Sequence, residues 1–323
     1  MPNRRPFLAA ALLLPGLARA QAPEPWPSRP IRILLAYPPG GSTDVLARAL
    51  AERLTAAFPG ASFVVENRPG GGAVPGTLAA AQAAPDGTTL ALGNNQTHAA
   101  NAAMLRDLPY RPVEDFTPIF RLAEVHHALV VPASSPAKTL AELAARGRAQ
   151  GLTYASSGVG SASHVIAESF VRREGLKATH VPYRGGAQAV TDTVAGVVDA
   201  FVSTWPQVVT LVQDGRLRCL GIGAPARLPE LPEIPTFAEA GAPYMAVDAW
   251  FGLFGPARLP QAVVEKLAAV LPGLLAAPEM VQRLATLGFT PAPMGPTEFA
   301  AFQKAELARW AALVELTGIR IDG

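Results

Sequence analysis

One cysteine, Cys219, in a chain of 323 residues excludes an intrachain disulfide, and its setting in Leu217-Arg218-Cys219-Leu220 reads as a buried thiol. Charge is scarce as well, at 16% of residues. The formal charge of +2 comes from the amino-terminal segment: setting aside Arg4, Arg5 and Arg19 from the 27 basic groups leaves 24 against 25 acidic ones. With no basic stripe left, nucleic acid is excluded as a partner. Neither a G-x-G-x-x-G nor a Walker loop occurs, so the glycine-rich turns do not read as nucleotide sites. A G-x-S-x-G elbow is also missing; Ser157-Gly158-Val159-Gly160-Ser161 has its residues in the wrong order, which argues against serine catalysis by His164. His126 and His127 are adjacent with no third ligand at metal spacing. The expectation is therefore no catalytic residue, no metal and no cofactor.

What is present begins with a leader. Met1 to Ala20 has a positive start at Arg4-Arg5, an apolar middle from Phe7 to Leu17, and an Ala18-Arg19-Ala20 cleavage site. It is too short to span a bilayer. Asn3-Arg4-Arg5-Pro6-Phe7-Leu8 also suits a twin-arginine signal, so either export route is open. The mature chain would begin at Gln21. Its length, with 50% hydrophobic residues, suits two lobes of an α/β protein.

The central stretch is Tyr37-Pro38-Pro39-Gly40-Gly41-Ser42-Thr43-Asp44. It follows an apolar run, Ile31 to Ala36, that reads as a strand. It precedes Val45 to Phe58, whose leucines four apart read as a helix. Two glycines let the backbone approach a ligand, Ser42 or Thr43 could cap the helix, and free N–H groups at a helix start attract an anion. The plain alternative is a tight strand-to-helix turn. Gly93 to His98, with Asn95, forms a second polar loop after a strand, at the edge where open α/β sheets bind ligands. From residue 123 a second set of strand-helix units begins. Ser156, Ser157, Gly158, Gly160, Ser161 and His164 form a glycine-hydroxyl loop between strand and helix, and Tyr183-Arg184-Gly185-Gly186 form another. The strand Ala200–Thr204 brings Ser203 to the same edge. The strand Ala249–Gly255 returns to the first set, and Thr236–Ala240 reads as a short helix. Residues 21–122 with 247–323 would make one lobe and 123–246 the other, closing as a clamshell over a ligand.

An ordered set of segments resembles the Bug/TctC family, the periplasmic substrate-binding proteins of tripartite tricarboxylate transporters. The segments are Trp26-Pro27-Ser28-Arg29-Pro30, Pro39-Gly40-Gly41 with Asp44, Val65-Glu66-Asn67-Arg68-Pro69-Gly70, and Pro85-Asp86-Gly87-Thr88. Further along come Ser156 to His164, Val181 to Gly186, Pro235-Thr236-Phe237-Ala238-Glu239-Ala240-Gly241 and Trp250-Phe251-Gly252-Leu253. The resemblance implies a type II periplasmic-binding-protein fold. It implies a small organic acid (a mono-, di- or tricarboxylate) gripped by the loops at Pro38–Asp44 and Ser156–His164, partly through water, with delivery to membrane permease subunits by a monomer. One departure is that Ser203-Thr204-Trp205-Pro206 stands where the family often has an acid, which tilts the expectation away from amino acids.

Several residues keep two readings. Asp44 favours its helix start and braces the loop more readily than it meets an anionic ligand. His164 reads first as a brace and second as a contact. Arg184 is either a partner for a second carboxylate or a rim residue, Trp205 an aromatic wall or core, and Trp250 core or cleft. The alternative functions are an exported α/β hydrolase, a carboxylate sensor, and the effector lobe of a cytoplasmic regulator.

Overall fold

A computed structural model describes residues 26–183 and 185–320. The expected leader and Arg184 lie outside the described residues. Strand β1 (Ile31–Leu35) buries four of its five side chains, as an inner strand of a parallel sheet must. Helix α1 (Ser42–Ala57) starts three residues before the expected Val45, because Gly41, not Ser42 or Thr43, takes the capping position. Next come β2 (Phe63–Asn67), α2 (Val74–Ala81) and β3 (Thr89–Asn94). The polar stretch read as a loop after β3 is ordered otherwise. Gly93 and Asn94 finish the strand, and Gln96–Ala100 forms a wide helical turn that runs into α3 (Asn101–Met104).

Strand β4 (Phe116–Val125) and β5 (His127–Pro132) meet at His126. The chain continues through α4 (Leu140–Gln150), β6 (Leu152–Ser156), α5 (Ala162–Arg173), β7 (Ala178–Pro182), α6 (Gly186–Val194), β8 (Ala200–Thr204), α7 (Trp205–Gln213) and β9 (Leu217–Ile222). The helix expected at Thr236–Ala240 is only a turn. Thr236 and Glu239 cap each other's backbone N–H at 3.1 and 2.8 Å as a helix start does, but Gly241, at φ 81°, ends it within one turn. Then follow β10 (Ala249–Pro256), α8 (Gln261–Ala276), α9 (Pro278–Thr286), β11 (Thr290–Met294) and α10 (Pro296–Thr317). Strand β11 escapes sequence reading because Pro291 and Pro293 read as loop; both are tolerated because the strand lies at a sheet edge.

The strands form two sheets, ordered β11-β4-β10-β3-β1-β2 and β7-β6-β8-β5-β9. Each holds three parallel strands with the first in the middle, β2-β1-β3 and β7-β6-β8. Beside each trio lies an antiparallel strand that has just crossed from the other sheet, β10 against β3 and β5 against β8. All of β4 belongs to the first sheet, so the outward passage is at His126, past the boundary expected at 123, and the return is at Val247-Asp248. The two passages are stitched together. His126 Nδ1–H donates to Asp248 Oδ1 at 2.9 Å, and His127 Nδ1–H to the Val247 carbonyl at 2.8 Å. Among the described residues no helix is long and apolar enough to cross a membrane.

Helix α10 packs on both sets through a core holding Phe299, Trp310, Phe254 and Trp250. Trp250 is core, its indole N–H donating to Glu306 at 2.9 Å. Trp205 is core too, buried with Phe201 and Val208. Phe299 sits directly on Gly252, where an added Cβ would run into its ring. Gly252→Ala is therefore expected to destabilise the fold by roughly 1–3 kcal/mol through overpacking. Urea unfolding measures this, and an unchanged midpoint would contradict the packing described.

Candidate ligand-binding site

The loops that leave the carboxyl ends of the parallel strands face one another across a cleft of about 790 Å³. Part of its wall is formed at helix starts. Gly41, Ser42 and Thr43 of α1 line it, as do Gly71–Ala73 before α2; Ser161, Ala162 and Ser163 of α5 and Gly185 before α6 stand opposite. No side chain caps α1 or α6, and the N–H groups of Ser42 and Thr43 have no partner among the described residues. In α5 the Ser161 hydroxyl accepts from His164 N at 3.3 Å and leaves the amides of Ala162 and Ser163 open. No Lys, Arg, Asp or Glu is among the described residues lining the cleft. What these described walls offer an anion is aligned peptide dipoles and open N–H donors.

Of the residues singled out from sequence, Tyr37, Gly41, Ser42, Asn95, Ser157, Gly158, Ser161, Tyr183 and Gly185 line the cleft. Pro39, Gly40, Asp44, Ser156, Gly160, His164, Gly186 and Ser203 are not among its lining residues, Pro39 and Gly40 being exposed, and several of the others brace it. Asp44 is buried and accepts from Gly40 N at 3.0 Å, from both Arg48 Nε and Nη2 at 2.9 Å, and from Asn67 Nδ2 at 3.0 Å. Asn67 also donates to the Tyr37 carbonyl at 3.0 Å, so one carboxylate ties both ends of the first loop. The Tyr37 hydroxyl sits 3.0 Å from Asn94 Oδ1 and 3.0 Å from Gln96 Oε1, and burial raises its pKa.

The second loop is braced by aromatic rings. His164 and His180 stack with centroids 3.8 Å apart, and Tyr154 stacks on His180 at 5.0 Å. Gly160 N–H donates to His164 Nδ1 at 3.1 Å, and Ser156 Oγ lies 2.7 Å from His180 Nε2. Burial, reinforced by the neighbouring His180, lowers the His164 pKa to about 4, which keeps Nδ1 free to accept at neutral pH. Gly160 holds φ 74°, a conformation open chiefly to glycine. Tyr183 donates to Asp192 at 2.7 Å, and burial with that acceptor raises its pKa to about 12. Ser203 Oγ turns back toward Thr204 O at 3.2 Å, and Gly186 packs against Gln207.

Asn94, Gln96 and Val159, within loops the sequence placed at the cleft, line it too; sequence reading missed Gly71–Ala73, His127, Thr204, Ala249 and Phe251, which also line it. After β2 the chain passes through Gly70-Gly71-Gly72, and Gly72 and Ala73 both hold φ near +60°. For Thr204 the signal was available, since adjacent strand residues face opposite ways and Ser203 faces inward.

Residues 46–319 match the family model of the tripartite tricarboxylate transporter family receptor, TctC. The chain belongs to that family. Bug/TctC proteins are two-lobed periplasmic solute receptors and not enzymes. The chain is similar to protein BugT of Bordetella pertussis, with 33% identity covering 98% of this chain and 96% of that one. It is also similar to a structure of an R. palustris protein with adipate (32% identity, TM-score 0.82, covering 91% and 99% of the chains). The MatC protein of Rhodopseudomonas palustris with bound malate has 32% identity and a TM-score of 0.78, covering 90% and 100%. The two sheets with their helices are the two lobes of this Bug/TctC fold.

Within it the Asp44 tie makes a prediction. Its hydrogen bonds from Arg48, with those from Gly40 and Asn67, outweigh burial and hold its pKa at about 2, below the ordinary 3.8. A depressed carboxylate stabilises the folded state fully above the unfolded pKa and loses that contribution as pH falls through the folded one. Asp44→Asn is expected to cost roughly 1–3 kcal/mol at pH 7. The gap to the parent protein should narrow between about pH 4 and pH 2. Urea midpoints against pH measure it; a gap that stays constant to pH 2 would rule out the ionised tie.

Proposed function

We propose that this chain is an extracytoplasmic receptor that closes its lobes on a small organic carboxylate and presents it to the permease subunits of a tripartite tricarboxylate-type transporter. The observation that carries this reading is the convergence of open backbone N–H groups from α1 in one lobe and α5 in the other on one cleft without side-chain charge among its described lining residues. A carboxylate has acceptor oxygens enough to meet donors from both sides. It would be held without a buried counter-ion, and so without the desolvation cost that a lysine or arginine would add. Family relatives bound to adipate and to malate support the same ligand class.

Closure follows from differential affinity: the ligand favours the closed arrangement only by as much as it binds it better than the open one. The stitched passages at His126–Asp248 and His127–Val247 would act as the hinge, with residues 26–125 and 249–320 as one moving body and 127–222 as the other. In the proposed life cycle the segment Met1–Ala20 is removed on export, by the Sec or the twin-arginine route, and the receptor works as a monomer.

A proline at the first helical position removes one N–H while leaving the helix intact, because that N–H has no intrahelical partner. Gly41 (ψ 170°) and Ser161 (ψ 158°) already hold the extended backbone that a following proline requires. Ser42→Pro and Ala162→Pro are each expected to weaken acid binding about ten- to a hundredfold, the worth of one hydrogen bond to a charged group. The melting temperature without ligand should stay close to that of the parent, with Ser42→Ala as the side-chain control. Calorimetric titration with adipate and malate tests this. Unchanged affinity in both proline variants would remove the two-lobe grip.

A further inference from the structure

Three polar side chains in the cleft are left with hydrogen-bonding capacity that the fold does not use. Asn95, only 3% exposed, has its Nδ2 buried with no partner, and the buried Thr204 Oγ1 has none either. His127, also 3% exposed, spends Nδ1–H on the Val247 carbonyl at 2.8 Å. A carbonyl only accepts, so the proton is on Nδ1, and in the neutral ring Nε2 carries a lone pair. Burial and the neighbouring His126 lower the His127 pKa against the opposing pull of Val247 and Asp248, so the ring is neutral at pH 7.

These groups are placed apart. His127 and Thr204 are register partners across β5 and β8, at the end of β5 next to the passage between lobes, in a cleft that the apolar Ala249 and Phe251 of β10 also line. Asn95 stands at the end of β3 in the first lobe. The Asn95 amide N–H suits a carboxylate oxygen. A neutral imidazole nitrogen does not, because both would be acceptors. It needs a ligand O–H or N–H, and the Thr204 hydroxyl beside it can accept from the same group or donate to its oxygen. A ligand ammonium would want an anion, and none is among the described lining residues. A ligand hydroxyl satisfies both side chains without charge.

We propose that His127 and Thr204 form a hydroxyl-reading subsite and that this receptor selects hydroxylated carboxylates over the parent acids, a specificity that rests on the receptor reading above. A site built around buried polar groups penalises an analogue that leaves them unpaired far more than a pocket penalises a missing methylene.

The experiment is calorimetric titration of the full mature chain with matched probes: succinate, malate and aspartate, and butyrate against 3-hydroxybutyrate. The expected result is that malate binds at least about tenfold tighter than succinate, and 3-hydroxybutyrate tighter than butyrate. That ratio should collapse toward one in both His127→Phe and Thr204→Val, with thermal melts confirming that each variant is folded. If His127→Phe does not fold, the ratio in the parent chain and in Thr204→Val still decides. Equal or tighter binding of the parent acids, aspartate preferred over malate, or a ratio that survives in both variants would overturn the subsite while leaving the receptor reading in place. Failure of every acid to bind would overturn that reading and the subsite with it.

Discussion

An α-helix begins with N–H groups that have no partner within the helix, and the whole molecule is arranged around where those groups point. A parallel strand-helix unit delivers each helix start to the carboxyl edge of its sheet. Two such sheets joined at that edge put the open donors of α1 and α5 face to face. The antiparallel strands β10 and β5 arise from the same requirement. Each is the segment that has just crossed between lobes and must enter its new sheet from the shared edge, so it runs against its neighbours.

Donors at loop ends bind well only if the loops are already in place, and this explains the residues behind the cleft. Asp44 is an anion at a helix start, the kind of place that attracts a ligand anion, but it faces away and anchors Gly40, Arg48 and Asn67. In the other lobe the stacked His164 and His180 do the corresponding work with neutral rings, one accepting from Gly160 N and the other meeting Ser156. A positive charge on His164 would end the first of these contacts, since a protonated ring nitrogen cannot accept. Burial disfavours that charge. The two lobes thus reach the same rigidity by different chemistry, an ionised tie in one and an uncharged stack in the other.

The sequence showed the strand and helix order well because an inner strand such as Ile31–Leu35 is apolar at four of its five positions and a helix such as α1 repeats leucine every four residues. It showed the cleft loops as well, since glycine and hydroxyl residues between a strand and a helix are a local signal. Which members of a loop face the ligand is not local. Asp44 and His164, read first as braces, do turn inward, but the partners that hold them, Arg48, Asn67 and His180, come from other turns or other strands and carry no local signal. His127 and Thr204 meet only through cross-strand pairing, and Phe251 reaches the cleft on a strand arriving from far along the chain. Strand β11 was hidden for a different reason: two prolines look like a loop until an edge position excuses them.

Because neither lobe supplies a charged side chain among the described lining residues, the two-lobe grip stands or falls on the backbone amides themselves. Amide-resolved NMR of a nitrogen-15-labelled chain, titrated with malate, observes them directly. The resonances of Ser42 and Thr43 in one lobe and of Ala162 and Ser163 in the other should move downfield together and saturate at one concentration, as donors to a shared anion do. Shifts confined to one lobe, or saturating at different concentrations in the two, would contradict a single carboxylate held between them.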